Sequence, residues 1–321
     1  MHAEAAIEPH LSHPVADVLR ERAAARSLPG ARRDPHRVAL VLEGGGMRGV
    51  VSAGMAAALE RLGLTASFDL VVGSSAGAIN GGALVAGVAR GCAAAYHGPL
   101  ASRAFVNPMR LVWGRPVMSV DYVLGYHSDD LDAGRHERAL ASPIELHFIA
   151  VDVATAAPVD LTGMGSKREL WNALLASSRM PWAGGAPVEL GGRRYVDGGL
   201  ASPIPVAEAL AAGATHVLAL QTRPYGVPRK SASRLADRFI ERHLRRLNPQ
   251  LVTLYRERVG HYETTVADIA RRSSDFGAGP PHVLGLRPPA GTTVVSQIER
   301  RPEILASAAR DAERLVEVVL G

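Results

Sequence analysis

A chain of 321 residues with 47% hydrophobic and 21% charged side chains has a globular make-up, which excludes a disordered chain. The single cysteine, Cys92, excludes an intramolecular disulfide and a cysteine-based metal cluster, and no apolar run approaches the roughly 18 residues a membrane span needs. The net charge of +5 is unevenly placed: residues 229–258 carry nine Arg or Lys against three Asp or Glu.

Residues 1–36 read as a polar arm with one helical piece near 16–25. The arm carries Glu4, Glu8 and Asp17 and lacks the apolar core of a signal peptide, so a cytoplasmic protein is expected. Residues 37–321 are expected to form one domain. Residues 37–42 are apolar on both faces, as a central parallel strand should be. The string Glu43-Gly44-Gly45-Gly46-Met47-Arg48-Gly49 breaks that strand, and a helix is expected over 50–62. A second strand at 68–72 runs into Gly73-Ser74-Ser75-Ala76-Gly77, followed by a helix to about residue 90. Residues 92–140 have poor periodicity and recurrent Gly and Pro, and read as an insertion or as a cap over a site. Further strands are expected at 144–151, 194–196, 215–220 and 282–286, with 159–161 pairing nearby. Helices are expected at 166–178, 205–212, 232–247, 249–272 and 302–320. Strands alternating with helices predict a three-layer α/β/α fold with a mostly parallel central sheet, and a helical C-terminal part over 228–321.

Gly73 to Gly77 has the G-x-S-x-G pattern of a nucleophile elbow, where a cramped strand-to-helix turn projects a serine hydroxyl. At this composition the pattern arises about 0.2 times by chance, so its companions decide. Gly44 to Gly49 satisfies G-x-G-x-x-G after a strand, as a dinucleotide site would. That reading requires an acid at the end of the second strand, where Gly73 and Ser74 stand instead; Asp69 begins the strand. The competing reading is an oxyanion hole: consecutive N–H groups from Gly44, Gly45 and Gly46, joined by that of Ala76, stabilise the oxygen of an attacked acyl carbon. Each such donor is worth about 3–4 kcal/mol in the transition state. A Gly-Gly-Gly-x-Arg-Gly string is expected only about 0.004 times by chance, which weakens a purely structural turn.

These two blocks and Asp197-Gly198-Gly199, in this order, resemble the three signature blocks of the patatin-like phospholipase family. Ala176-Ser177-Ser178 with Pro181 supports the match, which covers roughly residues 37–223. The similarity is greatest to bacterial, cytoplasmic-type members. Glu43 stands where many members have Asp, and Asp-Gly-Gly where many have Asp-Gly-Ala.

The resemblance assigns Ser75 as nucleophile and Asp197 as its proton acceptor, a dyad without histidine. Gly49, Gly73, Gly77, Gly198 and Gly199 support the turns. By itself Asp197 reads as a turn residue before two glycines; its place at a strand end allows it to share the carboxyl edge with Ser75. A Ser-His-Asp triad would instead draw on His216, His243, His261 or His282, none of which has a distinctive surrounding motif. Arg48 is expected to brace the glycine loop in preference to attracting a phosphate, and Asp152 to serve a turn in preference to shaping the site. The implied activity is lipid acyl hydrolysis on a lipid or phospholipid, with no cofactor and no metal. The alternatives are a small-ester or thioester esterase or acyltransferase, and a non-catalytic lipid-binding protein. In helix 233–247, Leu235, Phe239, His243 or Leu244, and Leu247 share one stripe, and Arg234, Arg238, Arg242, Arg245 and Arg246 crowd the rest. This is either a core-packed helix with a solvated arginine face, the commoner outcome, or a peripheral contact with anionic lipid headgroups. No nucleic-acid motif or aromatic platform accompanies the charge.

Overall fold

The run Val-Ala-Leu-Val-Leu has no polar side chain to offer water, and it becomes the fully buried strand β1 (Val38–Leu42). A computed structural model describes residues 12–113, 115–129, 134–229, 233–277 and 279–321. The expected arm before residue 12, and residues 114, 130–133, 230–232 and 278, lie outside the described residues. The other strands are β2 (Leu70–Ser74), β3 (Glu145–Asp152), β4 (Pro158–Leu161), β5 (Val188–Leu190), β6 (Arg193–Asp197), β7 (His216–Leu220) and β8 (His282–Leu286). Helices α1 (Pro14–Ala24), α2 (Val50–Arg61), α3 (Ala76–Val85), α4 (Ala89–His97), α5 (Val120–Asp129) and α6 (Arg135–Ala141) occupy the first half. They are followed by α7 (Lys167–Ser178), α8 (Val206–Ala211), α9 (Arg234–Leu247), α10 (Gln250–Ser274) and α11 (Pro302–Leu320).

The sheet runs β5-β6-β3-β2-β1-β7-β8, with β4 also paired to β3. The pairs joining β3, β2, β1, β7 and β8 are parallel, whereas β4, β5 and β6 pair antiparallel. Side chains alternate across it as strand geometry requires. Val38, Leu40 and Leu42 share a core with α2, α3, α4 and α11, and Ala39 and Val41 share one with α8 and α10. The architecture is therefore the expected three-layer α/β/α, built around a mostly parallel sheet.

Within the segment read as a polar arm, α1 is core: Val15, Ala16 and Leu19 are fully buried. Arg22 fixes it to the amino-terminal edge of the sheet, donating to Asp34, Asp69 and the carbonyls of Ser67 and His36. Asp69 also accepts from Arg32 and from the Val38 N–H, so its carboxylate is used at the strand start. Two local expectations change. The helix expected to run from Ser75 to residue 90 is two, because Gly87 takes φ +71° between α3 and α4. The stripe on α9 is also misread: Ile240 and Leu244 are buried, while Leu235 is 78% and Phe239 50% exposed. A register set by Ile240 packs onto Val151, Val196 and Leu251 and turns the Leu235–Phe239 edge outward.

Candidate active site

β3 brings the two expected site residues together. Along one edge its Ile149 pairs with Ser74 at the end of β2, and the next residue, Ala150, pairs with Asp197 at the end of β6. On the other edge both residues pair with β4, so β2 and β6 must meet end to end. Ser75 follows β2 with φ +56° and ψ −127°, a conformation that costs a non-glycine residue roughly 1–3 kcal/mol. It occupies the cap position of α3 without capping it. Its hydroxyl instead donates to Asp197 Oδ2 at 2.7 Å, and the Gly199 N–H holds Asp197 Oδ1 at 2.7 Å.

Close backbone approach explains the glycines at this junction. A Cβ on Gly77 would lie 2.2 Å from the Leu42 carbonyl oxygen, and one on Gly198 would lie 2.0 Å from that of Ile149. Gly73 sits inside β2, between Leu42 and Phe148, and the Gly49 carbonyl accepts from Asn80.

Asp197 is 3% and Ser75 8% exposed. Burial raises the Asp197 pKa to about 6, against the opposing hydrogen bonds from Ser75 and Gly199 and the charge of Arg229. A carboxylate so placed is a better base near neutrality than a solvated one.

Of the four backbone donors expected around the serine, Gly44 is engaged: its N–H donates to the Pro203 carbonyl at 3.2 Å. The chain there still follows the line of β1 toward its neighbour. Gly45 (φ +151°) and Gly46 (φ +59°) leave that line, and their N–H groups, like that of Ala76, have no partner among the described residues. Arg48 braces the loop. It is buried, its Nε donates to Thr222 Oγ1 at 3.0 Å, and Nη2 lies 3.8 Å from Glu43 Oε1. Glu43 Oε2 accepts from the Thr222 N–H at 2.6 Å, so the glutamate ties the start of the loop to the segment after β7.

The late histidines are elsewhere. His216 and His282 begin parallel strands in register with Val38, at the sheet edge opposite Ser75, and burial drops His216 to about 4. His261 lies on the surface of α10, and His243 lies on α9. Asp152 is a turn residue: Oδ1 accepts from Ala154 and Thr155, and Oδ2 meets Arg193.

Two features went unread in the sequence. Ser177 enters the sequence reading only within Ala176-Ser177-Ser178 as support for the resemblance; its Oγ accepts from the Ser75 N–H at 3.0 Å and donates to the Ile149 carbonyl at 2.7 Å. It thereby ties the elbow to β3. The second feature is a division of space around Ser75. One side is a cavity of about 240 Å³ lined by Asp197, Gly45, Met180, Trp182 and the arginines 48, 223, 229 and 258. The other is an apolar pocket of about 40 Å³ walled by Ala76, Ile79, Leu100, Phe105, Met118 and Val120. From the segment expected to be an insertion or a cap, Leu100, Phe105, Met118, Val120 and Val123 wall this pocket beside Ser75.

Residues 40–210 match the family described as patatin-like phospholipase. YjjU, an uncharacterised protein of Escherichia coli (strain K12), is 30% identical over 240 residues, which are 73% of this chain and 64% of that protein. The chain thus spans just under two thirds of the length of that relative. The crystal structure of VipD from Legionella pneumophila aligns at a TM-score of 0.42 and 11% identity, covering 88% of this chain and 67% of VipD. With more than half its length matched, and the three glycine-bearing blocks set around one serine, the chain belongs to the patatin-like phospholipase family.

Proposed function

We propose that the protein is a lipid acyl hydrolase working by two-step acyl transfer from Ser75. The observation that carries this reading is the 2.7 Å hydrogen bond from Ser75 Oγ to a buried Asp197 whose pKa stands at about 6. Asp197 takes the hydroxyl proton as Oγ bonds to the ester carbonyl carbon. The oxyanion rests on the unpaired N–H groups of Gly45, Gly46 and Ala76, the last at the positive end of α3. Collapse of this intermediate breaks the bond to the alcohol, which leaves with the proton from Asp197. Water, deprotonated by Asp197, then attacks the acyl-serine; collapse breaks the bond to Oγ and frees the fatty acid, and the proton held by Asp197 returns to Oγ, restoring the Ser75 hydroxyl. Incubation with a lipid extract and mass spectrometry of the products should show free fatty acid and a lysolipid or free alcohol from the wild type. Ser75→Ala should give neither, and matching product from both proteins would sink the proposal.

The pocket beside Ser75 favours a second reading on one point. About 40 Å³ is space for roughly three waters, so the site as it stands takes only a short acyl chain. A long chain requires the wall of Phe105, Met118 and Val120 to part. Rates on nitrophenyl esters of increasing chain length separate a short-chain esterase, which peaks at two to four carbons on the order of that volume, from a lipid hydrolase with an opening wall.

The proposal extends to the surface, in a cytoplasmic setting peripheral to a membrane. On α9, exposed Leu235 and Phe239 stand one turn apart among the exposed Arg234, Arg238, Arg242, Arg245 and Arg246, while Ile240 of the same helix lines the cavity. Docking on anionic headgroups with Leu235 and Phe239 inserted would bring the cavity to the bilayer. Among the described residues no helix is long and apolar enough to cross a membrane. At about 1 kcal/mol per arginine near an anionic surface, replacing Arg238, Arg242, Arg245 and Arg246 by Gln should weaken binding to phosphatidylserine vesicles at least 100-fold. Unchanged cosedimentation would remove α9 from the membrane contact.

A further inference from the structure

Four arginines line the cavity that holds Ser75 and Asp197. Two of them have counter-ions: Arg48 faces Glu43 at 3.8 Å, and Arg258 faces Asp237 Oδ1 at 3.7 Å. No carboxylate among the described residues makes an ion pair with Arg223 or Arg229. Both instead stand over the ring of Tyr262, at 5.6 and 5.3 Å from its centroid. Their remaining bonds are long, from Arg223 Nη1 to the Pro228 carbonyl and from Arg229 Nη1 to the Arg258 carbonyl, each at 3.4 Å. Arg223 Nε is buried with no hydrogen-bond partner among the described residues. Burial, and after it the charge of Arg48, pulls the Arg229 pKa down to about 10, with Arg258 and Arg223 adding to the repulsion and only Glu43 opposing it. Two positive charges are thus held in a partly desolvated space without an ion-pair partner among the described residues; Asp197 and Glu43, which line the same cavity, act on Arg229 only at longer range.

The apolar pocket on the other side of Ser75 fixes which half of an ester would meet them. An acyl chain belongs against Ile79, Phe105 and Met118, so the alcohol half points into the arginine-lined cavity. We propose that Arg223 and Arg229, supported by Arg258, form a subsite for a phosphate monoester carried on the alcohol side of the scissile ester. The proposal rests on the reading of Ser75 as nucleophile. A phosphate monoester carries about −1.5 to −2 charge at neutral pH, matching the two cations that lack an ion-pair partner, and its oxygens suit guanidinium forks. A headgroup with its own quaternary ammonium brings a further cation into the same space and is disfavoured; a neutral alcohol leaves the pair without an ion-pair partner.

The test compares kcat/KM for three butyryl esters, of glycerol 3-phosphate, of glycerophosphocholine and of glycerol. The wild type should prefer the phosphate monoester over both others by tenfold or more, and Arg223→Gln/Arg229→Gln should erase that preference. Arg229→Lys, which keeps the charge but loses the fork, should retain part of it. Arg310→Gln, exposed on α11, should leave it intact. Thermal unfolding of each variant checks that it is folded. Calorimetry on Ser75→Ala supplies a readout independent of turnover: glycerol 3-phosphate should bind, and the added arginine changes should weaken it at least tenfold. If no ester is cleaved but this arginine-dependent binding persists, the hydrolase reading fails and the subsite stands. Equal kcat/KM for the three esters, or a preference that survives in the double variant, overturns the subsite. Inorganic phosphate binding as tightly as glycerol 3-phosphate overturns its assignment to a headgroup.

Discussion

Asp197→Asn is expected to abolish ester hydrolysis and to stabilise the fold above pH 6. The two effects share one cause. Burial lifts the Asp197 pKa to about 6, from about 4 in an unfolded chain, so the folded state binds the proton more tightly. Below pH 4 the group is protonated in both states and costs nothing. As pH rises through about 6 the folded protein must hold a buried charge, and up to about 3 kcal/mol of stability is lost. Asparagine removes that charge, so the variant should resist urea better than wild type at pH 8 and no better at pH 4. Its kcat/KM should fall at least 10³-fold, because an amide cannot accept the Ser75 proton. For the wild type, kcat/KM on a neutral ester should rise with pH through about 6 and then level. An Asn variant that keeps its activity would remove Asp197 from the mechanism.

Gly198→Ala should disable the site from the other side. A Cβ there would stand 2.0 Å from the Ile149 carbonyl oxygen, a backbone contact that no rotamer change can relieve, and 2.8 Å from Ser74 Oγ. The same carbonyl receives Ser177 Oγ, which holds the Ser75 N–H, so pushing β6 away from β3 disturbs both halves of the Ser75–Asp197 pair. Overpacking of this kind costs about 1–3 kcal/mol, and misplacing the base by an ångström costs on the order of 100-fold in rate. Chemical denaturation and steady-state kinetics read the two effects separately. A variant with wild-type kcat/KM would mean that the β6–β3 junction does not set the position of Asp197.

How far the sequence reaches follows from how local each signal is. Val38 to Leu42, His216 to Leu220 and the strand before Ser75 announce themselves because each is a short apolar run closed by its own turn. The glycine loop and the elbow are equally local, since Gly45, Gly46 and Ser75 need special backbone angles that particular residue types signal. Ser177 is different. Its value lies in standing between the Ser75 N–H and the Ile149 carbonyl, two groups distant along the chain, and a Ser-Ser pair near a helix end says nothing of that. The orientation of α9 also escapes the sequence. The Leu235–Phe239 stripe and the Ile240–Leu244 stripe are both helical in period, and only the neighbours Val151 and Val196 decide which is buried. Arg229 and Arg258 are visible in the sequence as surplus charge and Arg223 is not; the convergence of all three beside Asp197 depends on where α10 and the segment before α9 return to the sheet. Gly44 is an error of another kind: three consecutive glycines look equivalent, yet the first still follows β1 and spends its N–H on Pro203.

The central claim is that Ser75 is the nucleophile and Asp197 activates it. A fluorophosphonate probe followed by peptide mass spectrometry tests it most directly. One adduct per chain, located on Ser75, absent from Ser75→Ala and at least 100-fold slower in Asp197→Asn is the predicted result, given the usual range for a lost general base. A chain that stays unlabelled, or an adduct on another residue, would contradict it.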